Sequence, residues 1–173
     1  PKAPMPAAVS AVNTAIGQQL GAAQAPLPLP AFCTARDYAV TLRGGQQVGT
    51  GRFARSAGDA KSYRVSPALD AASLQLATAL LDAMALGQGP HTDLLTIGLS
   101  ATDLIGHAYG TEGSEMCVQL AALDAALAAF FAHLDGRGID YLVHGAVQDL
   151  QVGPRRLAAT VQGTRRYRVD VEI

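Results

Sequence analysis

The stretch that decides the fold is Asp93-Leu-Leu-Thr-Ile-Gly-Leu-Ser-Ala-Thr-Asp-Leu-Ile-Gly-His107. Its first part, residues 93–99, is a mostly apolar run between turn signals, which is typical of a strand covered on both faces. We expect a loop over residues 100–113 after this strand. The polar residues of the stretch then lie just beyond the carboxyl end of a strand, where ligands gather in parallel α/β sheets.

A long helix is predicted to follow from about Ser114. Its apolar side chains between Met116 and Leu134 are spaced by three and four residues, which fits a helix laid across a sheet. The run Asp135-Gly-Arg-Gly138 predicts its end, and residues 139–143 predict a second short buried strand. Strand, helix and strand indicate a parallel pair with a right-handed crossover. The predicted class is therefore α/β, with a parallel or mixed sheet flanked by helices.

Other segments surround this unit. Residues 6–21 predict an amphipathic helix, and the alternating prolines of residues 26–30 predict an extended connector or, alternatively, a ligand for a proline-recognising domain. Residues 38–42 suit a short strand that is followed by a glycine turn. The pair Ser66-Pro67 predicts the start of a helix that Gly87 closes.

Two further segments have anion-binding alternatives. Residues 46–61 are rich in glycine, but Gly49-Thr50-Gly51 lacks the residues that complete a phosphate-binding fingerprint, so we interpret the segment as a flexible connection. Residues 166–173 alternate charged and apolar side chains, which predicts a half-buried strand. The five arginines within residues 155–168 leave a nucleic-acid patch as the alternative to a solvated strand face.

Composition narrows the classes of protein. The 173 residues suffice for one domain, and 49% hydrophobic residues with 5% aromatic ones favour close-packed helices over an aromatic-rich β-sandwich. A net charge of −1 argues against nucleic acid as a main partner. No apolar run approaches the ~20 residues of a membrane span. Cys33 and Cys117 are too few for a disulfide scaffold, and the sequence leaves open whether they form one bridge.

Asp103 and His107 are the candidate metal ligands of the deciding stretch. If the loop makes a helical turn, their spacing of four residues places both side chains on one face. A carboxylate oxygen and an imidazole nitrogen can then bind one zinc ion. The alternative is that Asp103 caps a helix and that His107 binds no metal, since two ligands do not complete a zinc site.

The segment Leu94-Leu-Thr-Ile-Gly-Leu-Ser-Ala-Thr-Asp-Leu-Ile-Gly-His-Ala-Tyr-Gly110, with Glu115–Asp124 after it, resembles the alkaline phosphatase superfamily. More narrowly, it is similar to bacterial zinc phosphatases with a threonine nucleophile and to their phosphodiesterase/nucleotide pyrophosphatase relatives. The resemblance covers about two thirds of the chain. It implies that Asp103 and His107 bind one of two zinc ions, and that His144 binds the other. The family's Asp directly before this histidine is absent here, so an ordinary loop histidine is the alternative for His144.

The same resemblance implies that this chain carries only part of an active site. The family's threonine nucleophile and its first metal-binding Asp have no counterpart here, and no histidine follows His144. We therefore assign no catalytic residue, and we expect residues 1–173 to be a single partial α/β domain. Its expected parts are a helix and proline-rich connector, a family-like core and atypical C-terminal strands, at residues 1–30, 36–143 and 144–173.

The leading hypothesis is metal-dependent hydrolysis of phosphate esters, with zinc as the cofactor. The alternative is a non-catalytic remnant or binding module on the same scaffold. The resemblance implies a periplasmic or secreted protein, although the sequence begins at Pro1 and shows no signal peptide. We expect that processing or truncation has removed the start. The expected substrate is a phosphate monoester or a phosphate diester.

Overall fold

The protein consists of helices and two small antiparallel sheets within the residues that its structure describes. The structure is a computed structural model, and it describes residues 4–89, 92–143, 147–153, 156–162 and 166–172. The helices of these residues are α1 (Ala7–Gly21), α2 (Ala60–Arg64), α3 (Ala68–Ala83), α4 (Ala101–Tyr109) and α5 (Ser114–Val143), with a 3-10 helix at Ala31–Arg36. The strands are β1 (Val40–Thr41), β2 (Gln47–Val48), β3 (Val147–Gly153), β4 (Arg156–Gln162) and β5 (Arg166–Glu172).

The helices predicted in the first half of the chain are confirmed. α1 matches the predicted amphipathic helix, and α3 begins beside Ser66, whose Oγ accepts a hydrogen bond from the Ala68 amide at 3.3 Å. α3 ends at Ala83, four residues before Gly87, which has a φ of 77° in the turn that follows. Residues 25–30 form no helix or strand, and Pro30 has an extended backbone with φ −59° and ψ 145°, as the prolines predict.

The predicted strand–helix–strand unit is wrong at its second strand. Residues 139–143 continue α5, because a glycine inside a helix costs only about 1 kcal/mol relative to alanine and no proline stops this one. The helix therefore runs through Gly136 and Gly138. The sheets that form within the described residues are antiparallel, so the mixture of helices and sheets is confirmed while the parallel pair is not.

The first strand of that unit, residues 93–99, forms neither a helix nor part of a sheet among the described residues. Within residues 93–99, Leu95, Ile97 and Leu99 pack against α3 and α5, whereas Leu94 is 89% exposed. This alternation is that of a half-buried strand rather than of one covered on both faces. A strand also requires a neighbour for its backbone groups, and the described residues supply none.

The glycine-rich connection is packed rather than flexible. β1 and β2 form an antiparallel hairpin around Gly44 and Gly45, which have φ values of 102° and 84°. After the hairpin, the Arg52 amide donates to Glu115 Oε1 at 2.9 Å, and the Phe53 ring is buried. Residues 46–61 therefore hold the start of α5 in place.

The C-terminal strands form a sheet in the order β3-β4-β5, so the strand predicted at the end of the chain is confirmed as β5. Arg156 Nε donates to Asp170 Oδ1 at 2.8 Å across β4 and β5. The side chains of Arg166, Arg168 and Val169 are exposed, so the described side chains of β5 are largely solvated.

Two apolar clusters hold the helices together. The first joins α4 to α5 and the second joins α3 to α5; their buried members are Phe53, Ala101, Ile105, Met116 and Val118 in the first, and Leu74, Ala77 and Phe130 in the second. Cys33 and Cys117 form a disulfide that ties the 3-10 helix to α5. The pairing that the sequence left open is therefore present.

Part of helix α5 is also a candidate membrane span. From Ser114 to Arg137 it is long and apolar enough to cross a membrane by length and composition alone, although a core helix of a soluble protein passes the same test. Its side chains Met116, Val118 and Phe130 are buried in the two clusters, whereas Leu120 and Phe131 are 52% and 55% exposed, so only one part of its surface packs against the other described elements.

Candidate metal site

Helix α4 brings the two predicted ligands together. Residues 101–109 are helical rather than a loop, so Asp103 and His107 lie one turn apart with Asp103 Oδ1 3.5 Å from His107 Nε2. Their side chains are 75% and 81% exposed, while Ile105 on the opposite face is completely buried. Burial of one face of α4 therefore turns the pair outward.

Both ends of α4 are defined by local chemistry. Ser100 occupies the N-cap position, so Asp103 is not the helix cap that the alternative interpretation required. The helix stops at Gly110, whose φ of 78° suits glycine and whose amide donates to the Gly106 carbonyl at 2.9 Å. A β-carbon on Gly110 would also lie only 2.9 Å from Val40 Cγ1, which leaves little room for a larger residue.

An open groove of about 470 Å³ runs beside the pair. Thr102 and Thr111 line it together with Asp103 and His107, and Met116 and Leu120 of α5 form its apolar side. Gly106 also lines this groove; a β-carbon there would be 3.5 Å from Met116 Cε, in ordinary van der Waals contact. The candidate ligands therefore border a space with two hydroxyl groups on one part of its wall and an apolar surface on another.

A buried polar layer lies beneath the first turn of α4. Asp70 of α3 is 1% exposed, and its Oδ1 accepts a hydrogen bond from the Ala101 amide at 3.0 Å. Gln119 of α5 is completely buried, and its Nε2 donates to Asp70 Oδ2 and to Thr102 Oγ1, each at 3.1 Å. Neither residue is among those predicted from the sequence to belong to the site. The available signal was a polar residue at a core position of an otherwise apolar helix.

A second buried carboxylate fixes the corner between α4 and α5. Glu115 Oε1 accepts from the Arg52 amide, and Oε2 accepts from Ser114 Oγ at 2.9 Å. The Tyr109 ring meets the Phe53 ring edge to face at 5.7 Å between centroids. Burial, followed by the nearby charge of Glu115, raises the pKa of the Tyr109 hydroxyl, because both disfavour a phenolate. This corner therefore packs a neutral tyrosine beside the groove.

The donors at the groove fit zinc as two ligands of a site. Carboxylate oxygen and imidazole nitrogen are both zinc ligands, but a catalytic zinc site uses three protein ligands and an open position. The described ranges contain no group of three or more His, Cys, Asp or Glu residues placed to hold one metal ion. His144, the third predicted ligand, lies outside the described residues, so its position relative to Asp103 and His107 stays a prediction.

Comparison with known proteins adds the family. The type I phosphodiesterase / nucleotide pyrophosphatase profile matches residues 22–144. The alkaline phosphatase PhoK of Sphingomonas sp is 50% identical over 135 residues, which are 78% of this chain and 24% of that protein. The alkaline phosphatase PhoD of Zymomonas mobilis subsp. mobilis is 40% identical over 142 residues, 82% of this chain and 24% of that protein.

Among solved structures, wild-type alkaline phosphatase PafA superimposes with a TM-score of 0.59 at 27% identity, over 76% of this chain and 27% of that one. The chain thus has an alkaline-phosphatase-like fold and spans about a quarter of the length of the relatives that it matches. The matched region contains the whole of α4 and its Asp103–His107 pair. The chain belongs to the type I phosphodiesterase / nucleotide pyrophosphatase family of the alkaline phosphatase superfamily.

Proposed function

We propose that this chain forms part of a zinc-dependent phosphoric ester hydrolase, in which Asp103 and His107 bind one of two zinc ions. The observation that carries the proposal is the placement of both side chains on the exposed face of α4, with 3.5 Å between Asp103 Oδ1 and His107 Nε2. The similarity to proteins named alkaline phosphatases supports phosphate esters as the substrate class. His144 is the proposed ligand of the second ion.

The residues around the groove have separate tasks in this proposal. Asp103 supplies negative charge for a cation, and His107 supplies a neutral imidazole nitrogen. When bound, two zinc ions supply Lewis-acid stabilisation of the charge that develops on the attacking and leaving oxygens. The Thr102 hydroxyl accepts a hydrogen bond from Gln119, which leaves its own proton free to donate to an oxygen of the ester. Met116 and Leu120 offer an apolar surface to the group that carries the phosphate.

The nucleophile and the remaining ligands are proposed to come from outside these 173 residues, so that the chain by itself does not turn over ester. The proposed compartment is the periplasm or the extracellular space. Its support is the Cys33–Cys117 disulfide, because such bonds persist in oxidising compartments. We propose no main role in nucleic-acid binding, and the pairing of Arg156 with Asp170 supports this.

The test measures zinc content and aryl phosphate hydrolysis in the full-length protein. Asp103→Ala and His107→Ala should each lower the zinc-to-protein ratio and the turnover. The matched control is His133→Ala, because His133 Nε2 lies 2.9 Å from Asp82 Oδ1 in another exposed pair away from the groove. This control should keep its zinc. Unchanged zinc content and turnover in Asp103→Ala would refute the assignment.

A non-catalytic binding module is the second candidate function. It is favoured by the observation that the described residues supply two ligands and no third. Stoichiometric zinc without hydrolysis of any phosphate ester by the full-length protein would support this candidate. Hydrolysis that depends on Asp103 would exclude it.

A further inference from the structure

We propose that Asp70 is a positioning residue for the metal-binding face of α4, acting together with Gln119. This inference rests on the proposed function, because it concerns how Asp103 and His107 are held for zinc. Asp70 belongs to α3 and is separated from Ala101 by 31 residues of sequence, yet its carboxylate meets the first amide of α4 at 3.0 Å. The carboxylate lies below the helix and does not reach the groove residues themselves.

The start of α4 needs a hydrogen-bond acceptor from outside the helix. The first four amides of a helix have no partner within the helix, and a side chain at the N-cap usually satisfies one of them. Ser100 occupies that position but makes no side-chain cap hydrogen bond. Asp70 Oδ1 takes over this task from a different helix. Its negative charge also meets the positive end of the helix dipole.

Asp70 itself is buried. A buried carboxylate is costly unless hydrogen bonds replace its water, and both Asp70 oxygens have donors here. Gln119 Nε2 donates to Asp70 Oδ2 and to Thr102 Oγ1, so a single amide group joins α3, α4 and α5. Thr102 immediately precedes Asp103. The network therefore fixes the backbone next to the first metal ligand.

Zinc binding depends on the exact position of α4. Metal ligands are effective within about 0.2 Å of their preferred distances, so a small shift of α4 changes zinc affinity. Ile105 anchors the buried face of the helix, but apolar packing alone permits sliding along the axis more readily than a directional hydrogen bond does. Asp70 and Gln119 supply the directional contacts at the end of α4 where Asp103 lies.

The test compares zinc affinity and amide hydrogen exchange in variants of the full-length protein. Asp70→Ala removes the acceptor and should weaken zinc binding by about 10- to 100-fold, the range for residues that orient metal ligands. Exchange of the amides of residues 101–104 should accelerate in the same variant. Leu74→Ala is the matched control, because Leu74 lies one turn along α3 and is buried in the second cluster. The melting temperature of each variant is measured as well, so that its zinc affinity and exchange rates are judged against its own loss of stability.

The conservative variant separates positioning from general destabilisation. Asp70→Asn keeps an oxygen that can accept from the Ala101 amide. Gln119 Oε1 is buried and has no hydrogen-bond partner among the described residues. If the side-chain amide of Gln119 turns over, this oxygen can accept a hydrogen bond from the new NH2 group of residue 70. Because only the charge next to the helix dipole is lost, the zinc affinity of this variant should fall by only about two- to fivefold. If Asp70→Ala does not fold, Gln119→Met tests the same network and should weaken zinc binding more than Leu74→Ala does.

The outcomes are distinct. Equal effects of Asp70→Ala and Leu74→Ala on zinc affinity and on exchange in residues 101–104 would overturn the inference, as would an Asp70→Asn variant no better than Asp70→Ala. Zinc content that does not respond to Asp103→Ala would instead refute the proposed function. Exchange in residues 101–104 then decides by itself whether Asp70 holds the helix.

Discussion

Replacing Cys33 and Cys117 together by alanine should lower the free energy of unfolding by about 4.5 kcal/mol. The disulfide joins residues that are 84 positions apart, and closing a loop of that length removes about 15 cal/mol/K of entropy from the unfolded chain. At 25 °C this entropy corresponds to the stated free energy. Cys33 is completely buried against α5, so alanine rather than serine avoids placing an unpaired hydroxyl there.

The assay is equilibrium unfolding in urea, with and without a reducing agent. The oxidised wild-type protein should lose stability when the bridge is reduced, and the double variant should be insensitive to the reductant because it has no bridge. That insensitivity is the internal control for effects of the reductant on other groups. A difference below about 1 kcal/mol between the oxidised protein and the double variant would show that the bridge does not constrain the unfolded chain as the loop-entropy argument requires.

Two further predictions concern packing and pH. Gly113→Ala should destabilise the fold by about 1–3 kcal/mol, because its β-carbon would lie 2.8 Å from Val40 Cγ2. Gly17→Ala is the control: its β-carbon would have nothing within 4 Å, so the change should be neutral or stabilising by up to about 1 kcal/mol. Thermal unfolding measures both variants, and equal effects would contradict the steric explanation. The hydrogen bond from His133 holds the pKa of the Asp82 carboxyl below its usual 3.8, so its contribution to stability is present above that value and is lost as the pH falls through the lowered one. The melting temperature of wild type should therefore exceed that of Asp82→Asn at pH 6 and converge with it near pH 2; a gap that does not narrow would refute this.

The elements that the sequence predicted well are those set by local chemistry. α1, α3 and the start of α5 follow from helical spacing and from Ser66-Pro67, and the turn at Gly44-Gly45 follows from backbone freedom that only glycine has. The errors lie where glycine was interpreted as a stop. Gly136 and Gly138 lie inside α5, because a glycine costs a helix only about 1 kcal/mol relative to alanine and does not by itself end it.

Residues 93–99 show a different limit of sequence reasoning. Their apolar run predicted a strand covered on both faces, and the side chains do alternate between exposed and half-buried, but a strand is defined by its partners and not by its own residues. Leu95 and Ile97 find apolar neighbours on α3 and α5, which explains their hydrophobicity without any sheet. Periodicity therefore predicted the alternating exposure of this segment, while the described part of the chain supplies no strand that pairs with it.

The candidate site likewise contains residues that local spacing brings together and residues that only tertiary packing brings together. Asp103 and His107 are four residues apart, so their meeting on one helix face depends on local geometry, and spacing alone was enough to predict it. Asp70 and Gln119 meet across 49 residues of sequence, and no local pattern links them. A pair of candidate ligands on one helix face can thus be predicted from spacing, but the contacts that fix where their helix begins depend on how three helices pack. Since zinc geometry tolerates little displacement, we expect the non-local contacts to decide whether the local pair binds tightly.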